Sequence, residues 1–388
     1  MYKREMGPIL ENLATKYPAV VILGPRQSGK TTLAKLTFPK HVYLTLEDRA
    51  TRERAAVDPK GFFESYRNAP GIILDEFQNL PELLSYIQII IDEQYRPGYF
   101  ILTGSQNFLM MSSVSQSLAG RVGILTLLPM SISEFKLNNL LPAQADKSIF
   151  YGGYPRIYYQ NFDPVVWYSD YIETYVEKDI RQIMKLSDIN LFRKFVSLCA
   201  GRIGQTLSLT SLSNDCGISL PTVKSWLSLL ESSYIIFLLQ PYYENLGKRV
   251  MKSPKLYFYD TGLACSLLSI NSELQLSTHY LRGGLFESFI ISDLFKQFYN
   301  KGHRPKIYFW QESHRSEIDC LVFKEDKIIP VEIKAGQTIN QDFFKGLEMW
   351  AELTGTKPFD RYIVYGGPED QTWPKAQVIS WQNISDFI

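Results

Sequence analysis

Nine consecutive residues, Gly24-Pro25-Arg26-Gln27-Ser28-Gly29-Lys30-Thr31-Thr32, concentrate more chemistry than any other stretch of the chain. The first eight fit the spacing G-x-x-x-x-G-K-[ST]. Glycines at Gly24 and Gly29 let backbone N–H groups turn inward around a phosphate, and the start of a following helix adds its positive end. Lys30 supplies charge for the β- and γ-phosphates of ATP, and Thr31 a hydroxyl for Mg²⁺. A second group follows an apolar run, Gly71-Ile-Ile-Leu-Asp75-Glu76. At the carboxyl end of a buried strand Asp75 would hold Mg²⁺ and Glu76 would polarise an attacking water. A third run, Tyr99-Phe-Ile-Leu-Thr103-Gly-Ser105, ends in hydroxyls. Thr103 or Ser105 could sense the γ-phosphate; helix capping is their other use. Arg121 is a candidate arginine finger, acting within its own chain or on a neighbour, and Arg26 is a second cation near the phosphates. A surface ion pair accounts for either arginine equally well.

Carboxylates also gather near the end of the chain, in Glu317-Ile-Asp319 and Glu332-Ile-Lys334. The apolar stretches around them flank a polar turn and read as a hairpin. With Glu325-Asp326 at its centre, Asp319 faces Glu332, side chains on one face and about 5 Å apart. Lys334 shares that face opposite Glu317. Opposed carboxylates repel unless a cation lies between them, and oxygen ligands favour Mg²⁺ or Mn²⁺. Lys334 would then be catalytic, orienting water or stabilising charge at phosphorus, and Glu287, on a helix after Gly283-Gly284, would complete the metal set. The alternative is a solvated hairpin with a Lys334–Glu317 pair. Pro330 fits only on a strand edge.

The elements that must position these groups follow from hydrophobic pattern. Short apolar runs at 19–23, 41–46, 71–74, 99–102 and 122–127 alternate with helical stretches, which predicts an α/β domain with a parallel sheet and helices on both faces. A helical stretch over 167–200 follows. Residues 209–231 have the rhythm of helix, Gly217 turn and helix, with Ser219 as N-cap and Pro221 at the helix start. Strands at 235–240 and 255–259 would make a wing whose tip carries Lys248, Arg249, Lys252 and Lys255. With Lys224 on the second helix, these bases are candidates for DNA contact. A single base on that helix also suits packing or protein binding. The last third returns to strands at 255–259, 306–310, 317–323, 327–333 and 361–364. The boundaries predicted are 1–140 for the nucleotide domain, 141–200 for a helical lid, 201–262 for a winged helix and 263–388 for a C-terminal α/β domain.

With 388 residues, 45% hydrophobic and 21% charged, the chain can bury two or three cores, and disorder throughout is excluded. A net charge of +1 excludes a general polyanion-binding surface and leaves only a local patch. Four scattered cysteines show no disulfide or zinc spacing, and no apolar run approaches the roughly 20 residues that span a bilayer. A cytoplasmic protein with no membrane partner is expected.

Taken in order, GPRQSGKTT (24–32), LDEFQ (74–78), TGS (103–105), LAGR (118–121), GGYP (152–155), YDTGL (259–263), LFESFI (285–290), EID (317–319) and EIK (332–334) resemble one family over nearly the whole chain. It is the prokaryotic AAA-superfamily ATP-binding proteins with a C-terminal domain of unknown function resembling PD-(D/E)xK nucleases. The resemblance implies an AAA-like ATPase, a winged helix and a restriction-endonuclease-like domain, with metal at Glu287, Asp319 and Glu332 beside Lys334. No member of that set is missing. The expectation is a Mg²⁺-dependent ATPase acting on DNA, with metal-dependent nuclease activity at the C-terminal site and homo-oligomers by analogy. The rival is a nucleotide-switched signalling or scaffold protein whose other domains only bind partners.

Overall fold

The computed structural model describes residues 2–105, 118–176, 189–242, 253–312 and 316–386. The chain divides into two compact units. One comprises Met1–Pro129 with Ser232–Tyr234 and Phe298–His303; the other comprises Met130–Glu231, Ile235–Gln297 and Arg304–Ile388.

The first unit is an α/β layer structure. Its strands are β1 (Ala19–Leu23), β2 (Val42–Thr45), β3 (Ile72–Asp75), β4 (Phe100–Gly104) and β5 (Val122–Thr126). All pairings are parallel, in the order β2-β3-β4-β1-β5. Strands β1, β3 and β4 are buried throughout, which is why their sequences are continuous apolar runs. Val20, Ile22, Ile73, Ile101 and Leu125 of the sheet pack with Leu33 and Ala34 of the helix Lys30–Thr37 and with Leu10 and Ala14 of the helix Gly7–Lys16. Strand β4 lies between β1 and β3, so the segments after β1, β3 and β4 emerge side by side at one edge.

The second unit opens on a capping box. The Ser131 hydroxyl accepts from the Glu134 N–H, and the Glu134 carboxylate accepts from the Ser131 N–H. Helices Leu209–Cys216 and Leu220–Ser232 are joined through Gly217, whose φ of 78° ends the first helix. The Thr222 N–H donates to Ser219 Oγ at 3.3 Å, the cap read from the sequence. An antiparallel ribbon follows, β6 (Ile236–Leu239) against β7 (Lys255–Phe258).

The C-terminal sheet contains β8 (Ile307–Glu312), β9 (Ser316–Lys324), β10 (Lys327–Lys334), β11 (Tyr362–Tyr365), β12 (Gln371–Thr372) and β13 (Gln377–Ser380), in the order β12-β13-β11-β10-β9-β8. In the β9–β10 hairpin Lys324 pairs with Lys327 and Cys320 with Val331, the register expected. Pro330 stands in a central strand, yet the ladder to β11 begins only at Val331, so its missing N–H falls where β10 is paired on one side. Trp310, Ile318, Leu321, Leu347, Trp350 and Ile363 fill the core on one face.

All four cysteines are buried and free. Among the described residues no helix is long and apolar enough to cross a membrane.

Candidate functional site

The phosphate-loop pattern lies between the end of β1 and the helix Lys30–Thr37. Gly24 has φ 144°, and a Cβ there would lie 2.1 Å from the Leu127 carbonyl oxygen, so only glycine fits. Gly29 has φ 99°. The Lys30 ammonium is buried and donates to the carbonyls of Gly24 (2.9 Å) and Pro25 (2.8 Å). Burial draws it down to about 8, against the opposing pull of Glu76 and Asp75, and the Arg26 charge lowers it further. Ser28 Oγ, fully buried, has no hydrogen-bond partner among the described residues and lies beside Gly24. An orphaned hydroxyl, a buried ammonium and a loop that excludes a Cβ together fit a phosphate group. Gln27 and Thr32 are exposed.

Register brings Asp75 beside this loop. Asp75 pairs with Thr103 across β3 and β4, and Leu23 pairs with Gly104 across β1 and β4. Asp75 Oδ1 accepts from Thr31 Oγ1 at 2.7 Å and from Thr103 Oγ1, and its Oδ2 accepts from the Tyr43 hydroxyl at 2.8 Å. Carboxylate and hydroxyl oxygens at this spacing suit Mg²⁺. Glu76 adopts φ 54° and ψ 46°, uncommon for a residue with a side chain. Its Oε2 accepts from Ser105 Oγ at 3.0 Å and from Gln78 Nε2, which also donates to Ser105 Oγ at 3.1 Å. The two hydroxyl candidates thus divide: Thr103 holds Asp75 and Ser105 holds Glu76.

Arg121 is not brought to this loop. It precedes Val122, which pairs with Ala19 at the start of β1, whereas the loop follows Leu23 at the strand's other end. Five residues of strand, about 13 Å, separate the two edges. The guanidinium pairs with Asp92, Nε to Oδ1 at 2.6 Å and Nη2 to Oδ2 at 3.1 Å. A finger acting within its own chain is therefore corrected to a surface ion pair.

Three residues went unread in the sequence. Tyr43 lies on β2 with no motif to mark it. Gln78 closes the string LDEFQ but reads as an ordinary polar turn residue. Arg4 donates to the Ser28 carbonyl at 2.6 Å and the Leu128 carbonyl at 2.7 Å, tying the loop to the segment after β5.

In the second unit the four carboxylates are arranged around two lysines. Lys334 Nζ lies 3.1 Å from Asp319 Oδ2 and 2.5 Å from Glu332 Oε2, so Asp319 and Glu332 share a face as expected. Lys334 does not pair with Glu317. Asp319 Oδ2 also accepts from the Ile333 N–H at 2.8 Å. Glu287, Glu317 and Asp319 each place an oxygen within 4.8 Å of the others. Lys255 Nζ sits against that group, in contact with Glu317 Oε1 and 3.2 Å from Glu287 Oε1. The Tyr257 hydroxyl donates to the same Glu287 oxygen. Glu332 lies outside the three-carboxylate group: a Cβ on Gly346 would come within 2.4 Å of its Oε1, so backbone closes over it.

Burial raises the Glu287 carboxyl to about 7 despite the Lys255 charge. It pushes Glu332 well above the ordinary range, with the Asp319 charge adding to it. Burial works the same way on Asp319, but the Lys334 and Lys255 ammonium groups outweigh it and hold Asp319 low. The divalent metal expected here does not fit this arrangement, because an ammonium already faces Glu287 and Glu317 and Glu332 stands apart from the three-carboxylate group. Lys255, read as a base at a wing tip, is buried. Lys224 is exposed on the helix Leu220–Ser232. Lys248, Arg249 and Lys252 lie outside the described residues.

The order of the parallel strands, the loop after β1 and the carboxylates after β3 define an AAA-type P-loop ATPase fold. A family profile described as an AAA domain matches residues 16–136. Two domains of unknown function, DUF8612 and DUF4143, match residues 143–274 and 282–384. An uncharacterized protein of Mycobacterium tuberculosis is 28% identical over 340 residues, covering 87% of this chain and 74% of the relative. An uncharacterized protein of Haemophilus influenzae is 22% identical over 351 residues, covering 81% of each. Among solved structures, the Walker-type ATPase PABY2304 of Pyrococcus abyssi is 17% identical, covers 69% of this chain and 96% of its own, and has a TM-score of 0.46. The RuvB Holliday junction branch migration motor of Thermotoga maritima is 19% identical, covers 60% and 87%, and has a TM-score of 0.31.

Proposed function

We propose that the chain binds and hydrolyses ATP with Mg²⁺ at the Gly24–Thr32 loop. The observation that carries this is the bond from Thr31 Oγ1 to Asp75 Oδ1, 2.7 Å, which joins loop and strand end in one oxygen-rich corner beside the buried Lys30. When bound there, Mg²⁺ would neutralise charge on the β- and γ-phosphates. Thr31 and Asp75 are the residues that would hold it. Lys30 gives its charge to the phosphates. Glu76 orients and polarises the attacking water, and Ser105 and Gln78 keep its carboxylate in place. A positioned base of this kind contributes about 10²–10⁴ in rate. In single-turnover assays Lys30→Ala loses ATP hydrolysis, and Glu76→Gln retains bound ATP but cleaves it at least 100-fold more slowly. Normal cleavage by Glu76→Gln would remove Glu76 from this role.

For the second unit we propose that the helix pair Leu209–Cys216 and Leu220–Ser232 docks on DNA, with exposed Lys224 touching backbone phosphate. The rival, a protein-binding module in a nucleotide-switched scaffold, draws support from Lys255, whose charge faces inward to carboxylates. Affinity for duplex DNA that falls steeply with salt supports the first. No binding at low salt supports the second. The carboxylate group as it stands supports no cleavage step, so nuclease activity forms no part of this reading.

A further inference from the structure

We infer that Lys255 is the resident counter-ion of the Glu287, Glu317 and Asp319 group, and that Lys255 and a divalent metal exclude one another there. The chain would then keep its C-terminal carboxylates metal-free for as long as β7 holds its place.

Position is the first ground. The Lys255 ammonium contacts Glu317 Oε1 and lies 3.2 Å from Glu287 Oε1, with its side chain 6% exposed. An ion bonded to those oxygens would meet a like charge with almost no water between them, and two cations so placed repel strongly. Attachment is the second ground. Lys255 is not a loose surface side chain, because both flanks of its strand are tied. Lys255 pairs with Leu239 of β6. On the other side the Gly204 N–H donates to the Leu256 carbonyl at 2.9 Å, the Leu256 N–H to Gln205 at 3.1 Å and the Leu207 N–H to Pro254 at 2.8 Å. Tyr257, two residues on and on the same face, donates to the oxygen of Glu287 that Lys255 approaches.

Close backbone approach is the third ground. A Cβ at Gly204 would lie 3.1 Å from the Gly284 Cα and 3.5 Å from Glu287 Oε2, and one at Gly284 would lie 2.7 Å from the Ile203 carbonyl. These two glycines let the segment Ile203–Gly204, which runs on to the stretch bonded along β7, lie directly on the first turn of the Glu287 helix. The ribbon that follows the helix pair is thereby the element that delivers the cation. Charge is the fourth ground. Lys334 serves Asp319 and Glu332, and Lys255 serves Glu287 and Glu317. The repulsion that called for a metal in the sequence is already relieved by two amines. Metal binding would require the ribbon to withdraw Lys255.

The test is Mn²⁺ titration of the nucleotide-free full chain, followed by electron paramagnetic resonance. It does not depend on ATP hydrolysis. The native protein should bind no Mn²⁺ that Asp319→Asn removes, up to about 100 μM. Lys255→Gln should gain one Mn²⁺ with at least tenfold tighter affinity, and Lys255→Gln combined with Asp319→Asn should lose it again. Lys255→Arg, which keeps the charge, should behave as the native protein. The inference is overturned if the native protein binds Mn²⁺ through Asp319 at micromolar concentration. It is equally overturned if Lys255→Gln binds no more than native. Should Lys255→Gln be unfolded without metal, folding on Mn²⁺ addition supports the inference and failure to fold with Mn²⁺ counts against it.

Discussion

Lys30 is buried with its ammonium turned to two loop carbonyls, and burial lowers it from 10.5 to about 8. Phosphate oxygens favour the charged form, so between about pH 8 and 10 nucleotide binding must bring a proton with it, and affinity falls as pH rises through 8. The same shift acts on stability in the nucleotide-free chain. An unfolded Lys30 keeps its proton to about 10.5 and the folded one only to about 8, so the unfolded state binds more protons in that window. This group's cost is therefore full below pH 8 and relieved as pH climbs toward 10.5. Calorimetric titration with ATP at pH 8.5, in buffers of different ionisation enthalpy, should show uptake of a fraction of a proton. Lys30→Arg should abolish the uptake, and buffer-independent heats for the native protein would refute it. At this scale the sequence was most legible where one residue type is required: Gly24, Lys30, Thr31 and Asp75 each have a job that few side chains can do. Tyr43 and Gln78 were not legible, because a phenol or an amide reaches its carboxylate only through register and turn geometry that spacing does not encode.

Elements carry a different kind of information. The strings GGYP and YDTGL, far apart in sequence, meet at Asp260. This buried carboxylate accepts from the Gly153 N–H at 2.7 Å, the Tyr168 hydroxyl at 2.6 Å and the Leu263 N–H at 3.0 Å, the last as cap of the helix Thr261–Leu267. A Cβ on Gly152, whose φ is 66°, would lie 2.0 Å from the Tyr168 hydroxyl oxygen. These motifs are structural joints. Asp260→Ala leaves buried donors without acceptors at about 1–3 kcal/mol each, so a total loss of about 3 kcal/mol or more is expected in urea unfolding. Gly152→Ala should lower the same midpoint, and a native-like midpoint for both would show the joint to be dispensable. Strand positions in the first unit and the β9–β10 register were readable because continuous apolar runs and a symmetric turn determine them. The place of Lys255 was not. A lysine opening a strand reads as exposed, and only the backbone of Gly204–Leu207 laid along β7 turns it inward.

At the scale of the whole molecule, Arg121 lies on the far edge of its own sheet from the phosphate loop. Any catalytic use of it must come from a second copy. If copies assemble that way, Arg121→Ala and Lys30→Ala are each inactive alone, and mixing them restores up to a quarter of native turnover. If the Asp92 pair is its whole role, Arg121→Ala hydrolyses ATP normally and shows only a small stability loss, about 0–1 kcal/mol for an exposed pair. Steady-state turnover of the two variants, alone and mixed, separates these outcomes. The enclosed cysteines have a practical bearing on such work. Burial pushes the thiols of Cys199, Cys216, Cys265 and Cys320 toward their protonated forms, and thiolate is the reactive species. A single new sulfur at an open position such as Tyr280, 83% exposed, would therefore be labelled alone. A dye there could then report on its own surroundings during turnover without first stripping the native background.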